Sequence, residues 1–198
     1  MSKLNLQINL FNYIIFIAFI NLGACKTDGK TSVVSGATSS ELGEKKDFIK
    51  KDPCSFLNEQ TVASLIGNTA EEINIRAGQS QNEFARSCFF KWSTADFPNA
   101  GMLVQILKNP VEDEYSEWAF MLIETKKSMG ETALSDPTNP IKYTTLPGIG
   151  EQACYNLAQS KTYFRVGETV YLVALNGVDE DKRLDLMKNV AREVIKGI

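Results

Sequence analysis

The chain has 198 residues, of which 43% are hydrophobic and 23% charged; 21 Lys and Arg stand against 24 Asp and Glu, the formal charge is −3, and there is no histidine. The missing imidazole excludes Ser-His-Asp and Cys-His nucleophile pairs, His-ligated zinc or iron, and any side chain that titrates by nature between about pH 5 and 8. With no basic stripe and no basic-aromatic interleaving, the chain also carries no electrostatic footprint for nucleic acid.

Residues 1–7 carry Lys3 and no acid, residues 8–22 are an apolar run broken by Asn9, Asn12 and Asn21, and small residues lead to Cys25. That layout is a secretory signal. A membrane span needs about 20 apolar residues, and this run is shorter and meets no basic stop-transfer cluster. Leu22-Gly23-Ala24-Cys25 resembles the lipobox of bacterial lipoproteins, in which the cysteine thiol takes a diacylglyceryl group, the signal is cut just before it, and the new amino terminus is acylated as well. The resemblance implies a signal peptide over residues 1–24, lipidation with palmitate-type chains at Cys25, and a mature chain anchored to a membrane of the bacterial cell envelope, on its periplasmic or outer face. Several acyl chains hold a protein stably where one does not. Loss of residues 1–24 removes Lys3 and no acid, which takes the formal charge from −3 to −4.

Residues 25–51 read as a tether, rich in Ser, Thr, Gly and Lys and too poor in apolar side chains to offset the entropy of ordering. A flexible chain of that length spans about 30 Å. Its later part alternates in sign, so it reads as a solvated run and not as a basic membrane patch.

One domain is expected over residues 52–198. Asn58 is placed to cap a helix whose Val62, Leu65 and Ile66 share a face and which Gly67 closes. Residues 73–77, 87–92 and 102–107 alternate as strands do. Tyr115, Trp118, Ala119, Leu122 and Ile123 mark the buried stripe of a second helix. Residues 135–140, Ser-Asp-Pro-Thr-Asn-Pro, read as a loop. Strands follow over 152–157, 162–166 and 169–175, the last two joined across Gly167-Glu168 as a hairpin. A last helix starts near Asp181, with Leu184, Met187, Ala191, Val194 and Ile195 inward. The order helix, three strands, helix, three or four strands, helix predicts an α+β fold: an antiparallel sheet of about six strands packed with three helices.

Little in these elements asks for chemistry. The acids at Glu71-Glu72, Glu112-Asp113-Glu114 and Asp179-Glu180-Asp181 sit where helices start or loops run, as the helix dipole favours, and no metal-ligand spacing occurs. Gly148-Ile149-Gly150-Glu151-Gln152-Ala153 fits the pattern of a dinucleotide fingerprint. That motif needs a strand before it and a helix after it; here Pro147 precedes and a strand follows, so the segment reads as a turn leading into a strand. No cofactor is implied.

Asp52-Pro53-Cys54-Ser55-Phe56-Leu57 opening a short helix, Cys88-Phe89-Phe90-Lys91-Trp92, and Leu146-Pro147-Gly148-Ile149-Gly150-Glu151-Gln152-Ala153 together resemble a family of uncharacterised bacterial lipoproteins. Its members open with a Pro-Cys-Ser-Leu-Leu type helix and carry a Pro-Gly-x-Gly-Asp/Glu-x-Ala turn. The likeness covers nearly the whole mature domain and implies a PsbP-like α/β sandwich, with no catalytic residues to carry over. Cys154 departs from the pattern, which more often has an aromatic or other apolar residue there. The resemblance also implies a Cys54–Cys88 disulfide, as export favours, leaving Cys154 as a buried small hydrophobe or, alternatively, a reactive thiol.

Three functions are compatible with this reading. The first is a non-catalytic envelope lipoprotein that binds a partner protein or an apolar ligand, with Phe89, Trp92, Trp118 and Tyr171 as candidate pocket residues. The second is a structural or assembly subunit, whose sign would be a solvent-facing apolar patch. The third is a thiol or carboxylate enzyme. The first predicts at most an apolar cleft between helix and sheet, with no converging ionisable groups.

Overall fold

A computed structural model describes residues 49, 51–78, 84–110, 117–133 and 136–198. The signal segment, Cys25, nearly all of the tether and Tyr115 lie outside the described residues. Among the described residues, no helix is long and apolar enough to cross a membrane. All of them belong to one compact unit, Lys45–Ile198.

The domain opens on a 3-10 turn, Pro53–Ser55, capped by Asp52, whose side chain accepts from the Cys54 N–H. Helix α1 (Glu59–Ile66) follows. Its Asn58 side chain accepts from the Thr61 N–H at 2.8 Å, and Gly67, at φ 78°, returns its N–H to the Ala63 carbonyl. A short turn, Ala70–Glu72, leads to strands β1 (Asn74–Ala77), β2 (Ala85–Trp92) and β3 (Ala100–Leu107), an antiparallel meander. Helix α2 (Trp118–Ser128) then crosses to the other face.

After α2 come β4 (Glu131–Ala133), β5 (Asp136–Ile141), β6 (Thr144–Thr145), β7 (Gln152–Asn156), β8 (Lys161–Val166) and β9 (Thr169–Asn176), and helix α3 (Glu180–Gly197) ends the chain. The main sheet has seven antiparallel strands in the order β1-β2-β3-β9-β8-β7-β6, and β4 pairs with β5 as a separate ribbon. The α+β reading with three helices therefore holds. The strand count is higher than six because β6 is only two residues long and because the segment expected to be a loop, residues 135–140, is largely strand β5. Pro137 and Pro140 lack the N–H of a ladder donor, which a two-stranded ribbon tolerates where an inner strand would not. Local turn chemistry survives inside it, since Asp136 accepts from the backbone N–H and hydroxyl of Thr138.

Alternation sets two cores. Ala100, Met102, Val104 and Ile106 of β3 face α1 and α3, joining Phe90, Tyr171, Val173, Met187 and Val190 in the larger cluster. The opposite face carries Ala119 and Ile123 of α2 on Tyr143, Cys154, Tyr163, Val170 and Leu172. Strand β9 is buried on both faces, which fits its place at the centre of the sheet. Each fully buried Val, Ile or Phe contributes about 1.5–3 kcal/mol against exposure. Apolar packing begins earlier than the sequence suggests: Ile49, assigned to the tether, is 2% exposed in the larger core.

Candidate functional site

An opening lies where the C-terminal end of α1, the β2–β3 loop and the start of α3 meet. It is a cleft of about 530 Å³, within the 300–1,000 Å³ typical of about one small-molecule site. Leu65 and Ile66 of α1, Trp92 at the end of β2, Phe97 and Leu186 give it apolar walls, and Asp96, Asp179, Asp181 and Asp185 stand around it. The β2–β3 loop holds its shape through its own bonds: the Thr94 N–H donates to the Phe97 carbonyl at 3.1 Å, and the Phe97 N–H donates to the Thr94 hydroxyl at 3.0 Å. Opposite it, Arg183 fixes the start of α3 by donating to the carbonyls of Leu157 and Val178, each at 3.1 Å. The two walls come this close because residue 177 is glycine: its φ is 66°, and a Cβ there would sit 2.8 Å from Ala100 and 3.0 Å from Phe97.

Trp92 is 6% exposed. Its indole N–H donates to no partner among the described residues. No enclosed side-chain nitrogen or oxygen there lacks a partner, so this N–H meets the solvent that enters the cleft. Of the four aspartates, Asp179 pairs with Lys182 at 2.8 Å and Asp185 with Lys188 at 3.5 Å. Asp96 and Asp181 have no ion-pair partner among the described residues.

The other face holds a polar hub. Glu131 Oε2 accepts from the Tyr143 hydroxyl at 2.7 Å and the Tyr163 hydroxyl at 3.4 Å and pairs with Lys126 at 3.4 Å, while Oε1 accepts from Lys161 at 3.2 Å. Lys126 also lies 4.9 Å from the centroid of the Tyr163 ring. Burial pushes the Glu131 carboxyl up, but the Tyr143 hydrogen bond and the charges of Lys126 and Lys161 outweigh it and leave it below the usual carboxylate range. Burial, and after it Glu131, pushes both tyrosines up, so they stay protonated donors. The expectation of no converging ionisable groups is thus overturned. What converges is one carboxylate whose donors satisfy it, an arrangement that holds α2, β4 and β8 together.

Cys54 and Cys88 form a disulfide, with Cα atoms 5.1 Å apart, that ties the opening turn to β2. Cys154 is free and fully buried against α2, and burial pushes its thiol up to about 12. A reactive thiol needs the opposite, exposure and a lowered pKa. The glycine turn before β7 is followed by a strand and no helix, which leaves it without the helix N-terminus a pyrophosphate needs. Among the described residues no group of three or more His, Cys, Asp or Glu is placed to hold a metal ion.

The four candidate pocket residues do not come together. Trp92 lines the cleft. Tyr171 is closed in the larger core, 5.3 Å from the Phe164 ring and 6.0 Å from the Phe56 ring. Phe89, 38% exposed, lies on the α2 side of the sheet in a shallow groove with Leu103 and Ala174, and Trp118 packs against the smaller core. The sequence reading did not place Leu65, Phe97, Asp96 and Asp181 together, which the α1–α3 packing and the β3–β9 pairing bring to one cleft, and it missed Glu131, whose partners lie up to 32 residues away.

Comparison of the chain with protein-family models, with curated proteins and with solved structures finds no match in any of the three. The resemblance to the lipoprotein family rests on the quoted motifs alone.

Proposed function

We propose that this chain is a lipid-anchored protein of the bacterial cell envelope whose folded domain binds a partner and performs no catalysis. The observation that carries the binding half is the Trp92 cleft, an opening of ordinary ligand size whose lining combines Leu65, Ile66, Phe97 and Leu186 with Trp92 and four aspartates. The anchoring half is supported by Leu22-Gly23-Ala24-Cys25 and by a disulfide, a bond that oxidising compartments preserve. The thiol-enzyme alternative finds no support in the burial of Cys154.

Metabolic labelling with radioactive palmitate and cell fractionation test the anchor. The wild type incorporates label and stays with membranes, and Cys25→Ser loses both. A Cys25→Ser chain that is cleaved, unlabelled and still retained in the membrane refutes it. Binding is tested by purifying the detergent-solubilised wild type beside Leu186→Arg, which fills the cleft. A molecule that co-purifies with both chains alike refutes the cleft as its site.

A second reading, an assembly subunit, is favoured by the outer side of α2, where Phe120 and Met121 are exposed and Met129 follows at 68% exposure. Under that reading Phe120→Lys shrinks a native membrane complex on non-denaturing gels, and Leu186→Arg does not.

A further inference from the structure

We infer that the Trp92 cleft takes a short extended peptide of a partner protein in which lysine or arginine alternates with aliphatic residues. This deepens the binding reading above and rests on it.

Three features of the cleft each ask for one property of the occupant. Leu65, Phe97 and Leu186 offer apolar walls, which favour an aliphatic side chain by about 25 cal/mol per Å² removed from water. The Trp92 N–H, on a side chain 6% exposed and without an acceptor among the described residues, asks for a carbonyl or similar oxygen. Asp96 and Asp181 form no ion pair among the described residues, and four aspartates against the one Lys182 leave the lining with surplus negative charge that asks for a cation. The positive end of α3 works against a cation with roughly half a charge, and the full charges of Asp181 and Asp96 exceed it. A simple alkyl cation has no acceptor for the indole, and a phosphate head group is repelled by the two carboxylates. A peptide supplies carbonyl, aliphatic group and cation within consecutive residues.

The probe is acetyl-(Lys-Leu)3-amide, titrated against the processed full chain carrying Trp118→Phe and reconstituted in phosphatidylcholine vesicles, with empty vesicles as the blank. Trp92 emission then reports the cleft alone. The expected result is a saturable change with this peptide and none with acetyl-(Glu-Leu)3-amide. Asp96→Asn with Asp181→Asn should weaken binding roughly five- to tenfold, as two partly screened charges would. By calorimetry on the chain that keeps Trp118, Trp92→Phe should weaken it about fivefold, as one hydrogen bond would. Unchanged Trp92 emission at millimolar peptide, an equal response to the acidic peptide, or full affinity in the double Asn variant overturns the inference. The two readings fail separately. A native molecule lost from Leu186→Arg while the basic peptide does not bind refutes the peptide and keeps the cleft. Flotation of the same vesicles reports the anchor independently of either.

Discussion

The Cys54–Cys88 bond closes a loop with a sequence separation of 34. In the chain-entropy model a loop of that size restricts the unfolded chain by about 12–13 cal/mol/K, or about 4 kcal/mol at 25 °C. A domain of this size has about 5–15 kcal/mol in all, so removing the bond should take away a quarter or more of it. Replacing both residues by alanine should lower the melting temperature by about 8–16 °C. Cys88 is fully buried, so the loss of its sulfur adds a cavity cost that reduction avoids. Urea unfolding followed by circular dichroism, on the oxidised chain, the chain in reductant and Cys54→Ala with Cys88→Ala, separates the two. Reduction should also steepen the dependence on urea, because an uncrosslinked unfolded chain exposes more surface. A loss below about 1 kcal/mol on reduction would show that the model's premise, an otherwise unrestrained unfolded chain, is wrong here.

Three further predictions follow from the α2 face and the glycine turn. Glu131→Gln should destabilise by about 1–3 kcal/mol at pH 7, the range for a hydrogen bond to a charged group. Because the folded carboxyl titrates below its unfolded value, its contribution is fully present above the unfolded pKa and disappears as the pH falls through the folded one, so the difference from wild type in urea titrations should vanish in acid; a constant difference would contradict the linkage. Cys154 should resist iodoacetamide at pH 8 in the native chain and react after unfolding, as read by mass spectrometry, and rapid native labelling would show that its site opens. Gly150→Ala should destabilise by about 2 kcal/mol or more by thermal melting, since φ is 56° and a Cβ would stand 2.4 Å from the Arg165 carbonyl oxygen; an unchanged melting point would mean that the turn relocates.

Local signals carried well into the structure. Asn58 and Gly67 cap α1 as their chemistry predicts, and the alternation of β3 names its buried face. The pocket proposal went wrong at a point the sequence could have corrected. Phe89 and Trp92 are three residues apart in one strand, and a period of two sends them to opposite faces. Glu131 was beyond reach of local reasoning, because Tyr143 reaches it through the β4–β5 pairing and Lys161 and Tyr163 only across the fold. Strand β5 was hidden by its prolines, since turn composition and ribbon pairing do not exclude each other.

The pairing of β3 with β9 has a kinetic consequence. Val104 meets Val173 at the middle of the sheet, so the β1–β3 meander cannot bury its inner edge until the last strand is available. At a synthesis rate of 5–20 residues per second, the first three strands wait for roughly 3–14 s with that edge open. Long-range closure of this kind slows folding and leaves the nascent chain without a finished core until α3 is close to complete. The same delay makes β3 the segment most exposed to mispairing, and slowing β9 synthesis by codon choice should raise aggregation while leaving the melting temperature of the recovered protein unchanged.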